Sequence, residues 1–286
     1  MTLFTMGRFP SKGDLRQYED DLQERAYLVR VVQPRVQETL TSVGRFASRN
    51  VVLGRENWLF YRPGVDSLTG RGFLDPIAQR HRVWNLRDAA SAETISPDPR
   101  PAIIEFQRQV RAAGAYLVLM PIPDKAAIQT AQLSGAETSL RRFPVNASWA
   151  QFLQEMRAAG VDVFDPTPAD RSFGQIRYLR HDTHWTPQWM DEVAGQLAAH
   201  IRPRLSAAAP AALQLASATT SGMGDLVEML RLTDSKRLFP AQQVMLECVQ
   251  TSQGQILRPD KDSEVLLLGD SFANIFSASQ LGWGES

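Results

Sequence analysis

"RAAGAYLVLMPIP", residues 111–123, decides the fold class. Upstream of it, Ile103, Phe106 and Val110 recur at the spacing of one helical face. Gly114 supplies a residue on which such a helix can end. The apolar run behind it, closed by Pro121 and Pro123, reads as a buried strand. The design then repeats. Trp149, Phe152, Leu153 and Met156 follow i, i+3, i+4, i+7 spacing, a second "RAAG" stands at 157–160, and "VDVFDPTP" (161–168) gives another strand and turn. Two helix-glycine-strand units in succession predict an α/β fold with a mostly parallel sheet covered by helices.

Outward from this centre, "VVLGRENWLFYRPG" (51–64) reads as two short strands around a Gly54–Asn57 turn, followed by a loop-rich region to about residue 100. Trp58, Phe60 and Tyr61 are expected in the core rather than stacked on a sugar. Residues 13–47 are charged and periodic, with Leu15, Tyr18, Leu22, Tyr27, Leu28, Val32 and Val36 on the apolar positions and a break at Pro34; they predict a helical arm. A helix after "HDTHWTP" (181–187) carries Trp189, Val193, Leu197 and Ile201, with Thr186 as N-cap and Pro187 at its first position. Residues 203–221, rich in Ala, Ser and Thr, read as a surface connection. "EVLLLGDS" (264–271) is expected to be a strand, with a helix starting at "FANIFSASQ".

Lys plus Arg and Asp plus Glu both total 31, so no net field attracts nucleic acid or an anionic membrane surface. The single Cys248 excludes an internal disulfide. No charged leader followed by a long apolar run opens the chain, and no transmembrane stretch stands anywhere in it.

The chemistry concentrates in two places. A serine leaving a strand and entering a helix sits where open α/β sheets bind ligands, which makes Ser271 a candidate nucleophile. A serine hydroxyl needs a base and something to orient that base. In an extended segment residues i and i+2 share a side, so Asp182 can hold the ring of His184 while its other nitrogen faces Ser271. Taken singly, Gly-Asp-Ser is also an ordinary polar turn and Asp-x-His an ordinary cap; their combination is the stronger signal. With only four histidines (His81, His181, His184, His200) and no cysteine cluster, no metal is expected, and His181 reads as a polar loop residue. Lys125, in "PIPDK", is a candidate for holding an anionic sugar or the reacting oxygen, or else a solvated lysine. Asn274, one helical turn past Ser271, is a candidate hydrogen-bond donor.

Five stretches carry a resemblance: "GRENWLFYRPGVDSLTG" (54–70), "PIPDKAAIQ" (121–129), "YLRHDTHWTP" (178–187), "GDLVEML" (224–230) and "LLLGDSFANIF" (266–276). In this order they resemble the alginate O-acetyltransferase AlgX/AlgJ family of SGNH-hydrolase-like, DHHW-type proteins. The resemblance implies a three-layer SGNH-like domain over 49–286 behind an N-terminal helical arm over 1–48. It also implies an O-acetyltransferase acting on an exopolysaccharide or cell-surface glycan through an acyl-serine, with Ser271, His184 and Asp182 as the triad and with Asp and His preceding Ser. No cofactor is implied, and Lys125 and Asn274 are the substrate-binding candidates. An extracytoplasmic location and a membrane-bound O-acyltransferase that delivers acetyl groups follow from the same resemblance. Family members continue beyond the serine, so the C-terminal part of the fold, with oxyanion donors, is expected to be missing from a chain that stops at Ser286. An esterase with the same triad and a non-catalytic glycan-binding subunit remain alternatives.

Overall fold

The computed structural model describes residue 41 and residues 48–86, 96–135, 142–169, 174–206, 213–258 and 260–283, with 83–86 as backbone only. The arm expected over 1–48 falls, apart from Thr41 and Ser48, outside them.

The expected hairpin is present. Strands β1 (Val51–Leu53) and β2 (Leu59–Tyr61) pair antiparallel, Val51 opposite Tyr61. Glu56 (φ 49°) and Asn57 (φ 61°) both take left-handed backbone conformations between them, and Trp58 N–H closes on Arg55 O at 2.9 Å. That is the mirror-image turn whose twist suits a tight hairpin. The region read as loop contains two helices, α1 (Arg62–Thr69) and α2 (Pro76–Leu86). Pro63-Gly64 reads as a turn in sequence, yet proline is also at home in the first helical turn, which is where it stands.

Both "RAAG" segments end helices in the same way. Helix α3 (Arg100–Ala112) closes with Ala115 N–H on Val110 O at 3.0 Å, and α6 (Trp149–Ala158) with Val161 N–H on Met156 O at 3.0 Å. The strands behind them, β3 (Val118–Leu119) and β4 (Asp162–Val163), pair parallel, Val118 opposite Asp162. The mixed α/β class follows, although this two-residue ladder is the only parallel pairing among the described residues. Under it Phe152, Leu153 and Met156 bury with Leu74, Val161 and Val163. Helix α3 packs more shallowly than its periodicity predicts, and Phe106 is exposed.

Between the two units, α4 (Lys125–Ile128) and α5 (Thr130–Ser134) follow "PIPD". Helix α7 (Pro187–Ile201) starts as expected, with the Thr186 hydroxyl accepting Trp189 N–H. The supposed surface connection instead contains β5 (Leu213–Gly222), which pairs antiparallel along its length with β6 (Gln242–Thr251). Its inward positions, Ala216, Ala218 and Thr220, are small, so the alternation that marks a strand is muted. Helices α8 (Asp225–Leu230) and α9 (Ser235–Leu238) lie between these strands; Leu226, Val227 and Leu230 pack with Val51 and Leu59.

The main core gathers Trp58, Phe60, Tyr178, Trp185, Trp189 and Trp283. Each large side chain so buried contributes roughly 1.5–3 kcal/mol, which makes a firm floor for the loops above. The expected last strand does not form. Residues 264–269 have no ladder partner among the described residues, and Leu266, Leu267 and Leu268 are 60–79% exposed. In place of the helix expected after them stand two 3₁₀ turns, Ser271–Ala273 and Ser279–Leu281. No helix among the described residues is long and apolar enough to cross a membrane.

Candidate active site

The segment 177–186 folds back on itself. Tyr178 bridges Trp185, Leu179 N–H donates to His184 O at 3.0 Å, and Thr186 N–H donates to Arg177 O at 2.8 Å. The loop at its tip, 180–184, is held from four sides. Leu59 N–H of β2 donates to Arg180 O at 3.1 Å, and Arg180 N–H donates to Gln242 Oε1 at 3.0 Å. Lys125 Nζ donates to Arg180 O at 3.0 Å and to Asp182 O at 2.8 Å. Asp225, at the start of α8, accepts Thr183 N–H at 2.8 Å and the Thr183 hydroxyl at 2.5 Å. Gly224 makes this approach possible: at φ +90°, a Cβ there would lie 2.3 Å from His181 O.

The geometry brings Asp182, His184 and Ser271 into one line. Asp182 Oδ1 lies 2.6 Å from His184 Nδ1, and His184 Nε2 lies 2.7 Å from Ser271 Oγ. His184 N–H also donates to Asp182 Oδ1 at 2.9 Å. The other carboxylate oxygen accepts Asp225 N–H at 3.1 Å and the Trp283 indole N–H at 2.9 Å. Burial opposes ionisation of Asp182, but the hydrogen bonds and charge of His184, with the Trp283 donor, outweigh it and hold the carboxyl below its ordinary value. The acceptor-only carboxylate fixes the proton on Nδ1 and leaves Nε2 free to take one from the serine.

Ser271 is presented by its neighbours. Phe272 packs against His184 (centroids 4.7 Å), Trp185 (5.3 Å) and Tyr178 (6.3 Å), which seats the serine beside the imidazole. Asp270 Oδ1 accepts Phe272 N–H at 3.0 Å, so the backbone donor just after the serine is already engaged.

Lys125 stands apart from its sugar-binding expectation. It is buried, its ammonium faces loop carbonyls, and it lies 5.2 Å from the ring centroids of both Trp58 and Phe60. Burial pulls its pKa down to about 7, against the charges of Asp182 and Asp225. The Asn274 side chain is exposed and makes no hydrogen bond among the described residues; its backbone N–H donates to Ser271 O at 3.3 Å. His181, expected as a polar loop residue, does lie in the loop, and its side chain is buried there. Asp182, His184 and Asp225 could each offer a ligand atom within 4.8 Å of the others, but these donors and acceptors already satisfy one another and Thr183. His200 pairs with Asp162 at 2.9 Å, away from this cluster. Sequence reasoning assigned no role to Trp283, Thr183, Gly224 or Asp225. The one signal that reached two of them was "GDLVEML", which opens with Gly224 and Asp225.

Residues 51–282 match the family described as SGNH hydrolase-like domain, acetyltransferase AlgX. A probable alginate O-acetylase AlgJ of Pseudomonas putida is 26% identical over 235 residues, 78% of this chain and 54% of that protein. A probable alginate O-acetylase AlgJ of Pseudomonas aeruginosa is 28% identical over 155 residues, 53% of this chain and 33% of that protein. The chain thus spans about half or less of the length of these relatives. Among solved structures, the O-acetyltransferase domain of Pseudomonas putida AlgJ superposes with a TM-score of 0.50 at 24% identity, over 71% of this chain and 66% of that one, a likeness of fold.

Proposed function

This chain belongs to the SGNH hydrolase-like acetyltransferase family described for AlgX, and on that premise we propose that it transfers acetyl groups to hydroxyls of an exopolysaccharide or cell-surface glycan through an acyl-serine at Ser271. The observation that carries the reading is the unbroken hydrogen-bonded line from Asp182 through His184 to Ser271. In the first half-reaction Ser271 Oγ attacks the acetyl carbonyl carbon, its proton passes to His184 Nε2, and the ester bond to the donor breaks as that proton moves to the leaving oxygen. In the second half-reaction a sugar hydroxyl attacks the acyl-serine, gives its proton to His184 Nε2, and Ser271 Oγ leaves and takes that proton back. Asp182 orients the ring throughout and stabilises its charged form. The relatives named as alginate O-acetylases support a polysaccharide acceptor. An extracytoplasmic site of action, with acetyl groups supplied by a membrane-bound O-acyltransferase, completes the proposal.

Transfer is tested by supplying a chromogenic acetyl ester with and without an alginate oligosaccharide, following both ester cleavage and the mass of the sugar. Acetylated sugar, with cleavage accelerated by the sugar, is expected. Equal cleavage in both cases and an unmodified sugar would assign the site to an esterase.

A further inference from the structure

The relay through Asp182 and His184 has a further neighbour on its Nδ1 side. Thr183 Oγ1 lies 3.3 Å from His184 Nδ1, farther than Asp182 Oδ1 at 2.6 Å but within hydrogen-bond reach. Both donors of Thr183 are turned to Asp225, the first residue of α8: its N–H donates to Oδ1 at 2.8 Å and its hydroxyl to Oδ2 at 2.5 Å. A hydroxyl has a single proton, and an ionised carboxylate only accepts. With its proton committed to Asp225, the Thr183 oxygen has only lone pairs to offer the imidazole, which can then meet it only as Nδ1–H. Two carboxylates are thereby gathered about one ring, Asp182 directly and Asp225 through a hydroxyl. Burial and the charge of Asp182 raise the Asp225 carboxyl above its ordinary value, and the Thr183 bonds and the charge of His184 oppose that rise. Lys125 balances the set, since the charges of Asp182 and Asp225 both favour its ammonium against burial.

We propose that Thr183 and Asp225 are positioning residues that form a second arm of the relay: the Asp225 carboxylate holds the Thr183 proton, and the Thr183 oxygen serves as a second acceptor for His184 Nδ1–H, which keeps Nε2 unprotonated and facing Ser271. At 3.3 Å this arm is weaker than the bond to Asp182, and its worth lies in what it forbids. Were the Thr183 hydroxyl free to turn, it could donate to Nδ1 and stabilise the opposite tautomer, whose Nε2–H cannot take the serine proton. The amide of Asp225→Asn would impose that reversal. Thr183 N–H would still claim the amide oxygen, so the amide nitrogen would fall beside the Thr183 hydroxyl, donate to it and turn its proton toward His184. The hydrogen-bond arrangement stands by itself; its bearing on acetyl transfer rests on the acetyltransferase reading.

Nitrogen NMR of isotope-labelled histidines, with the His184 signals identified by their loss in His184→Gln, reads the ring tautomer directly, which a merely structural tie would not move. The unsubstituted chain is expected to hold neutral His184 in the Nδ1–H form, and Asp225→Asn to shift a large share of it to Nε2–H. Cleavage of a chromogenic acetyl ester should follow the tautomer. In Asp225→Asn kcat should fall by about tenfold with KM nearly unchanged, and in Thr183→Val by about threefold, whereas Thr183→Ser, which keeps the hydroxyl, should retain most of the turnover. Because the harm of the amide passes through the hydroxyl, Thr183→Val combined with Asp225→Asn should turn over faster than Asp225→Asn alone. An unmoved tautomer in Asp225→Asn, or losses that multiply in the double variant, would overturn the second arm and leave Asp225 as a tie between α8 and the loop. The expected tautomer shift in a chain that never carries acetyl on Ser271 would defeat the acetyltransferase reading alone, whereas acetylation of Ser271 with an unmoved tautomer would defeat the second arm alone.

Discussion

At the scale of single residues, Asp182 is the centre of the site. It accepts from the ring and backbone of His184, from Asp225 N–H and from Trp283. Removing the indole donor in Trp283→Phe should lower kcat/KM by about tenfold, the worth of a hydrogen bond to a charged group. It should also move the acidic limb of the pH profile upward, because Asp182 loses a bond that favours its ionised form; a profile unchanged in position would show that the tryptophan only packs. Lys125 gives a second prediction. Its pKa is about 7 in the fold against 10.5 for an ordinary lysine, so the unfolded chain binds more protons between those values and stability rises with pH across that window. Urea midpoints should show this rise, and Lys125→Met should lack it. The grouping of Asp182, His184 and Ser271 was legible in the sequence because a two-residue spacing and a Gly-Asp-Ser closing an apolar run are local patterns, even though that run forms no strand among the described residues. Trp283 was not, since it meets Asp182 across 101 residues and nothing in "LGWG" announces a hydrogen bond.

At the scale of elements, the start of α8 is wedged against the loop that carries Asp182. Gly224→Ala would push a methyl group onto His181 O from a backbone with φ +90°. It should therefore destabilise the chain by about 2 kcal/mol or more and cut ester cleavage further than the lost stability explains, as a misplaced relay would. A Gly224→Ala protein with the melting temperature and turnover of the original would mean that the contact is loose. The two "RAAG" units were legible because glycine ends a helix by a backbone requirement that no distant contact alters. The β5–β6 pair was not, because Ala216, Ala218 and Thr220 fill its inner face without the large apolar residues that make alternation visible. The opposite failure occurs at "EVLLL": hydrophobicity marks a strand, but pairing depends on a neighbour, and none stands beside residues 264–268 among those described.

At the scale of the molecule, that run leaves Val265 to Leu268 exposed as a contiguous apolar ribbon. Such a ribbon binds hydrophobic dyes and promotes self-association. Leu266→Lys with Leu268→Lys should reduce both dye binding and concentration-dependent elution in gel filtration, with the melting temperature nearly unchanged. Acid should also weaken the whole fold. His181 titrates at about 4 when folded because of its burial and the charges of Lys125 and Arg180, against an ordinary value of 6.5, so stability falls as pH drops through that interval. His181→Gln should flatten this part of the stability curve; an equally steep fall in the variant would place the acid sensitivity elsewhere. The central claim, that Ser271 carries the acetyl group, is met most directly by intact-mass measurement after incubation with a chromogenic acetyl ester, followed by peptide mapping. One acetyl group on the peptide containing Ser271 is predicted, absent in Ser271→Ala and strongly reduced in His184→Ala. Steady ester turnover that leaves Ser271 unmodified at every time point, or that survives both substitutions, would contradict it.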